Sequence, residues 1–339
     1  MELAIQKNVP LHRYTTLRVG GVADYFVEVK SVEDLEKAAN FATQNSLPFL
    51  VLGGGSNVLI NDAGFRGLVA LMNITGRQYE DKDGAQVALR LGAGEVFDDV
   101  VAETALKNLW GLENLSSIPG TVGATPVQNV GAYGVEVSAL IISVEAINIE
   151  TLEKKVFTND ECHFLYRDSF FKTSVGKRWV ITFVTYALSR TPNPQLSYAD
   201  LSQLKDSAEL SPSDIREAIK NIRSQKFPNW SLVGTAGSFF KNPIISSGHY
   251  NKLKQVYKDI PGYVQADDVV KVSLGYILDK VCGLKGYCEG NVCLYEKQAL
   301  VLVASEGATA TEIEKFSNSI KEKVFAKTKI KIDCEVSFL

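Results

Sequence analysis

GLENLSSIPGTVGATPVQNVGAYGVE, residues 111–136, is the stretch from which the rest of the chain can be read. Gly120, Gly123, Gly131 and Gly134 alternate here with small and polar residues over a length that no single turn requires. Small side chains let backbone N–H groups approach a ligand, and long ordered loops of this kind usually bind something.

A second loop, LGGGSNVLI at residues 52–60, follows the strand-like run PFLVLG. Gly53, Gly54 and Gly55 remove side-chain bulk, while Ser56 and Asn57 add polar contacts, so a diphosphate is the natural partner. Taken alone, such a loop is more often only a tight turn. The common nucleotide motifs are missing. GAGEVF, residues 92–97, has Phe97 where the dinucleotide fingerprint needs a small residue, and there is no G-x-x-x-x-G-K-[ST].

Composition narrows the class without naming a function. The 339 residues are 45% hydrophobic and 22% charged, as in an ordinary globular protein. Thirty-six Lys and Arg against 39 Asp and Glu leave a net charge of -3, which argues against nucleic acid as a partner. No apolar run reaches the 18 or so residues of a membrane span, and no secretory signal is legible, so a cytoplasmic protein is expected. The five cysteines, Cys162, Cys282, Cys288, Cys293 and Cys334, fit no zinc spacing and read as thiols in a reducing compartment. His12, His163 and His249 lie in no hydrolase motif, so no metal and no histidine nucleophile system is expected.

Along the chain, ADYFVEVK, PFLVLG, AQVALRLG, ALIISVEAINI and RWVITFVTYAL read as strands. Ser31 with Asp34 opens a helix, and DDVVAETALKNLW has helical spacing. The polar stretch SRTPNPQLSYADLSQLKDSAELSPSD separates the two halves, and Pro212 begins a helix carrying Ile215, Ala218, Ile219 and Ile222. QALVLVA is a strand, a long helix starts near Thr311, and KIKIDCEVSFL alternates as a final strand. The fold class is α+β with at least two lobes.

Together the two glycine-rich loops resemble those of the vanillyl-alcohol-oxidase-type FAD fold. More narrowly, IPGTVGATPVQNVGAYG resembles the signature of the UDP-N-acetylenolpyruvoylglucosamine reductases. The likeness continues through FLYRDSFFK, LSYADL, RSQKFPNW, GTAGSFFKNP, GLKG, QALVLV and CEV, in family order from residue 11 to 338. LSYADL and the length fit the longer subtype, which carries a tyrosine loop over the substrate. The resemblance implies FAD-binding subdomains at 1–70 and 71–226, the latter joined by the C-terminal strand 329–339, and a substrate-binding domain at 227–328. It implies non-covalent FAD, NADPH as co-substrate, and reduction of UDP-N-acetylglucosamine enolpyruvate to UDP-N-acetylmuramate in bacterial peptidoglycan precursor synthesis. A monomer is the favoured state.

Adding hydride to C3 of an enolpyruvyl group places negative charge on C2 and the carboxylate, so a cation, an enolate stabiliser and a proton donor are wanted. The resemblance assigns these roles to Arg167, Glu335 and Ser238, with Ser238 protonating C2 and Glu335 a carboxyl of raised pKa. It assigns flavin contacts to Gly53, Gly54, Gly55, Ser56, Asn57, Val58, Pro119, Gly120, Gly123, Gln128, Asn129, Gly131, Ala132, Tyr133 and Arg167. Substrate contacts fall on Tyr166, Tyr198, Arg223, Lys226 and Asn242. Arg167 and Ser238 come from different expected domains, which places the reaction at their interface. Two positions depart from the family pattern: Tyr295 where histidine is common, and Cys334 where proline occurs. A flavin oxidase of the same fold, or a non-catalytic sugar-nucleotide or flavin binder, are the rival readings. The absence of histidine from both glycine loops and the joint presence of Arg167, Ser238 and Glu335 speak against them.

Overall fold

A computed structural model describes residues 3–206 and 209–339. The chain forms two compact units, and neither is a continuous segment. Unit 1 comprises Met1–Val9, Ala23–Gly55 and Phe65–Arg223; unit 2 comprises Pro10–Val22, Ser56–Gly64 and Ser224–Leu339. Residues 329–339 fall in unit 2.

In unit 1, Val22–Val29 and Phe49–Leu52 both pair in parallel with Phe65–Met72. The helix Val32–Gln44 connects the outer two. It starts where the sequence predicts, with the Ser31 side chain accepting from the Asp34 N–H at 3.1 Å. Its buried face is Leu35, Ala38, Ala39 and Ala42, the spacing of one helical stripe. A second sheet is antiparallel, ordered Lys154–Thr158, Ile141–Asn148, Trp179–Ser189, Gln86–Gly92, Arg77–Asp81. Apolar residues of both sheets share one core, with Leu68, Leu89, Val144 and Val184 fully buried.

The polar stretch 189–214 is more than a connection. It carries a 3-10 helix, Ala199–Asp206, and Leu201 is fully buried against Trp110, Tyr133, Ile215 and Ile219. The helix Pro212–Lys226 follows, opened by proline as expected.

Unit 2 is built on a sheet ordered Gly234–Ser238, Val301–Ala304, Val292–Leu294, Cys288–Glu289, with the helix Ala310–Thr328 against it. Leu17, Val19 and Leu59, from the two early segments, lie in its core beside Phe239, Ile313 and Phe316. The helix is doubly capped. Thr309 and Glu312 exchange the reciprocal bonds of a capping box, and Asp62 accepts from the N–H groups of Ala310 and Thr311 at 2.8 and 2.9 Å.

Two expectations are corrected. KIKIDCEVSFL is not one strand: only Ser337–Phe338 is, paired in parallel with Val58–Leu59. Its alternation arises because Ile330 and Ile332 are buried while their neighbours are exposed, with no ladder along them. Cys288 and Cys293 are not thiols but a disulfide, since a two-residue hairpin turn places them directly opposite each other, Cα atoms 4.1 Å apart. Cys162, Cys282 and Cys334 are free.

Candidate active site

The two glycine-rich loops meet. A Cβ on Gly54 would stand 2.9 Å from the Gly120 Cα, and one on Gly53 would stand 2.6 Å from the Thr121 Oγ1. Backbone lies against backbone, and any side chain at Gly54 would fill the space. Ser117, Asn129 and Tyr133 take left-handed φ of 60°, 44° and 48°, with Gly120 at 120° and Gly134 at 87°. Such conformations are costly for residues with a Cβ and cluster at ligand sites. The result is a cradle of closely packed backbone.

Side chains brace this cradle. Asn129 is 1% exposed; its amide donates to the Glu136 Oε2 at 2.8 Å and the Leu165 carbonyl at 3.1 Å, and its Oδ1 accepts from the Ser138 N–H. Leu165 and Asp168 close a tight turn that places Tyr166 and Arg167 at its tip, Arg167 with φ 54°. The Arg167 side chain reaches back to the loop of residues 129–136. It donates to the Gly131 carbonyl at 2.6 Å and the Asn129 carbonyl at 3.4 Å, with the Glu136 carboxylate 3.9 Å away. Gly131 and Ala132 pair with Glu136 and Val135, and Gln128 ends the short helix Ala124–Val127 after Pro119, Gly120 and Gly123.

Tyr133 links this loop to the substrate candidates of unit 1. Its ring meets Tyr198 edge to face, centroids 5.2 Å apart, and its hydroxyl bonds the half-buried Arg223. Burial lowers the Arg223 pKa, opposed by Tyr133 and by the Asp98 carboxylate. Burial also raises the Tyr133 pKa. For Asp98, burial acts upward, yet the hydrogen bonds from Arg216 and the Ser117 N–H win, holding it below the usual carboxylate range. A half-buried cation, its partners and two tyrosines therefore stand beside the glycine loop.

In unit 2, Ser238 ends the strand Gly234–Ser238 just after a bulge, where Gly237 has φ 69°. A bulge re-aims the residues that follow it. The next residues pair with the C-terminal segment: the Glu335 N–H donates to the Phe239 carbonyl at 2.8 Å and the Lys241 N–H to the Asp333 carbonyl at 3.0 Å. Glu335 is thereby placed opposite the neighbour of Ser238. Cys334 sits in the non-hydrogen-bonded position of this pairing, so a proline there would lose none of its bonds. The Asn57 amide donates to the Glu335 carbonyl at 3.2 Å, and Val58 pairs with Ser337, joining the end of the first glycine loop, from Ser56 on, to the catalytic candidate. The Asn242 Oδ1 accepts from the Leu274 N–H at 3.0 Å, and Lys226 ends its helix.

The residues that sequence reasoning passed over are Asn114, Thr121, Glu136 and Asp98. Asn114, Thr121 and Glu136 lie inside the quoted stretch 111–136, but nothing local marks an asparagine or glutamate as a brace.

A family model for an FAD binding domain matches residues 23–151. Another, for the C-terminal domain of UDP-N-acetylenolpyruvoylglucosamine reductase, matches residues 228–339. A reductase of that name from Porphyromonas gingivalis is 37% identical over 337 residues, covering 99% of each chain. The chain belongs to the UDP-N-acetylenolpyruvoylglucosamine reductase family. A second reductase of the family, from Ralstonia nicotianae, is 39% identical over 98% of both chains. The crystal structure of the Thermus caldophilus reductase shares the fold, with a TM-score of 0.69 at 23% identity over 100% of this chain and 99% of that one. The expected α+β flavin fold and the FAD cofactor are borne out, and the chain is a flavin-dependent oxidoreductase of this reductase family. Among the described residues no helix is long and apolar enough to cross a membrane, and no three His, Cys, Asp or Glu side chains cluster as metal ligands.

Proposed function

We propose that the protein reduces UDP-N-acetylglucosamine enolpyruvate to UDP-N-acetylmuramate with NADPH, as a monomer in the bacterial cytoplasm. The observation that carries the mechanism is the pairing of Glu335 with Phe239, which sets two sequence-distant candidates, Ser238 and Glu335, on adjoining backbone segments. When bound, FAD would supply the hydride chemistry, from NADPH towards C3 of the enolpyruvyl group, that no side chain has. The glycine loops, with Gly53 to Val58 and Pro119 to Tyr133, would hold the cofactor through backbone groups, and Arg167 keeps the Asn129 and Gly131 carbonyls in place.

Negative charge then develops at C2 and over the carboxylate. The Ser238 hydroxyl gives its proton to C2, a carbanionic centre basic enough to take it from a neutral serine. Arg167 offers a fixed cation to the carboxylate, and Glu335 donates a hydrogen bond on the enolate side. Tyr166, Tyr198, Arg223, Lys226 and Asn242 bind the substrate, with Tyr198 at the uridine end and Lys226 and Asn242 at the diphosphate. A chain of net charge -3 can hold such an anion because the positive charge is local.

The test follows the flavin spectrum without oxygen. NADPH should bleach it, and only the enolpyruvyl substrate should restore it; a colourless protein that releases no flavin on denaturation would sink the proposal. Ser238→Ala should leave the bleaching step nearly intact and slow the restoring step at least ~10²–10⁴-fold. Equal loss of both steps would remove Ser238 from the role of proton donor.

A further inference from the structure

We infer that Asn114 is a positioning residue whose side-chain amide holds the Tyr198 segment on the flavin loop and thereby sets the affinity for the sugar nucleotide. The second half of this statement rests on Tyr198 binding substrate, as proposed above. Asn114 is fully buried in the 3-10 turn Glu113–Leu115, and its Nδ2 donates to two carbonyls, Tyr133 at 2.9 Å and Gln195 at 2.8 Å. Both partners are acceptors, so the site requires a group with two N–H donors. Tyr133 belongs to the flavin loop, and Gln195 lies three residues before Tyr198.

The surroundings show what this bond pair organises. Tyr133 and Tyr198 rings are in contact, and a Cβ on Gly134 would stand 3.0 Å from the Ser197 Oγ. The run into Tyr198 contains Pro192 and Pro194, which have no N–H to donate, and its residues join no sheet. Leu196, Leu201 and Leu204 give the segment apolar contacts with Trp110, Tyr133 and Ile215, but such contacts are not directional. The Asn114 amide adds directional bonds. Asn114→Asp keeps the shape while turning donors into a carboxylate that faces two carbonyls, so the segment should detach from the loop. The cradle itself is held elsewhere, by Arg167 on Gly131 and by Asn129 on Glu136.

The experiment uses the full chain loaded with FAD. Asn114→Asp should exchange backbone hydrogens across residues 195–205 about tenfold faster or more, and raise KM for UDP-N-acetylglucosamine enolpyruvate by a similar factor. The NADPH half-reaction should stay within about twofold. In a Tyr198→Ala background the same substitution should change KM by less than about twofold, since the residue it positions is gone; a purely structural role would lower function equally in both backgrounds. If Asn114→Asp fails to retain FAD, Asn114→Ser, which keeps one donor, should show the same pattern at smaller size. Exchange at the wild-type rate, or an equal KM change with and without Tyr198, would overturn the inference. Absence of turnover in the wild type would instead refute the proposed reaction, and the exchange rates would still decide whether Asn114 clamps the segment.

Discussion

Gly54→Ala tests the meeting of the two glycine loops most directly. The new Cβ would lie 2.9 Å from the Gly120 Cα and 3.3 Å from its carbonyl carbon, where ordinary contact begins at 3.4 Å. The obstacle is backbone, so it cannot swing aside as a side chain would. One loop must retreat by about half an ångström, and overpacking of this kind costs about 1–3 kcal/mol. With both loops in their proposed role of binding FAD, the cost falls on the state that binds it, and each 1.4 kcal/mol is a tenfold loss of affinity. The expected result is a dissociation constant for FAD raised about 5- to 150-fold, read by quenching of flavin fluorescence during titration of deflavinated protein. Gly248→Ala is the control, since its Cβ meets nothing within 4 Å and its φ is not left-handed. Unchanged FAD affinity and melting temperature in Gly54→Ala would show that the loops do not touch as described.

Arg167→Lys keeps the charge but not the planar fork that reaches two carbonyls; faster release of FAD on dilution, with slower substrate-driven reoxidation, is expected, and wild-type values for both would remove Arg167 as a brace. Glu103 sits among Tyr79, Lys107 and Arg77: burial pushes its pKa up, but their hydrogen bonds prevail and hold it at about 2. A lowered carboxylate pKa stabilises the fold above the ordinary value near 4.5, and this is lost as pH falls towards 2. Glu103→Gln should therefore cost on the order of 1–2 kcal/mol at pH 7, reduced from the full conversion because the carboxylate is 28% exposed, and the gap to wild type in urea melts should narrow below pH 4.5. A gap independent of pH would count against the network. Asp62→Ala strips a charged acceptor from two N–H groups of the helix Ala310–Thr328 and should cost ~1.5–3 kcal/mol, against ~1 kcal/mol for Thr309→Ala. The reverse order in thermal or chemical melts would mean that the helix relies on its own cap alone.

Much of this was open to reading because local physics dominates it. Ser31 and Pro212 start helices through bonds and dihedrals that involve only near neighbours. Glycines in a run announce a backbone approach without saying to what; the answer for Gly54 is Gly120, far along the chain. Where tertiary pairing decides, the signal weakens. Ile330 and Ile332 alternate with exposed residues like a strand, yet their partners are core side chains rather than a ladder. The stretch 189–214 looks like a linker because its buried leucines are few and widely spaced. Cys288 and Cys293 face each other only once Gly290 and Asn291 are known to make the turn. For the site, resemblance alone proposed roles for Ser238 and Glu335, while Asn114 and Glu136, whose bonds run to backbone carbonyls and a neighbouring side chain, carried no sign of them.

The interleaving of the two units bears on how the chain comes off the ribosome. Residues 10–22 and 56–64 are made early, yet Leu17, Val19 and Leu59 find their core partners, among them Ile313 and Phe316, only after unit 1 has been synthesised. Asp62 likewise waits for the helix it caps. During that interval these short apolar segments are exposed beside a unit 1 whose own strands are complete, and non-local closure of this kind is slow and prone to association. Slowing translation between Arg223 and Thr309 should therefore lower the yield of folded protein more than slowing it before Ala23, which places the hazard in time rather than at any one residue.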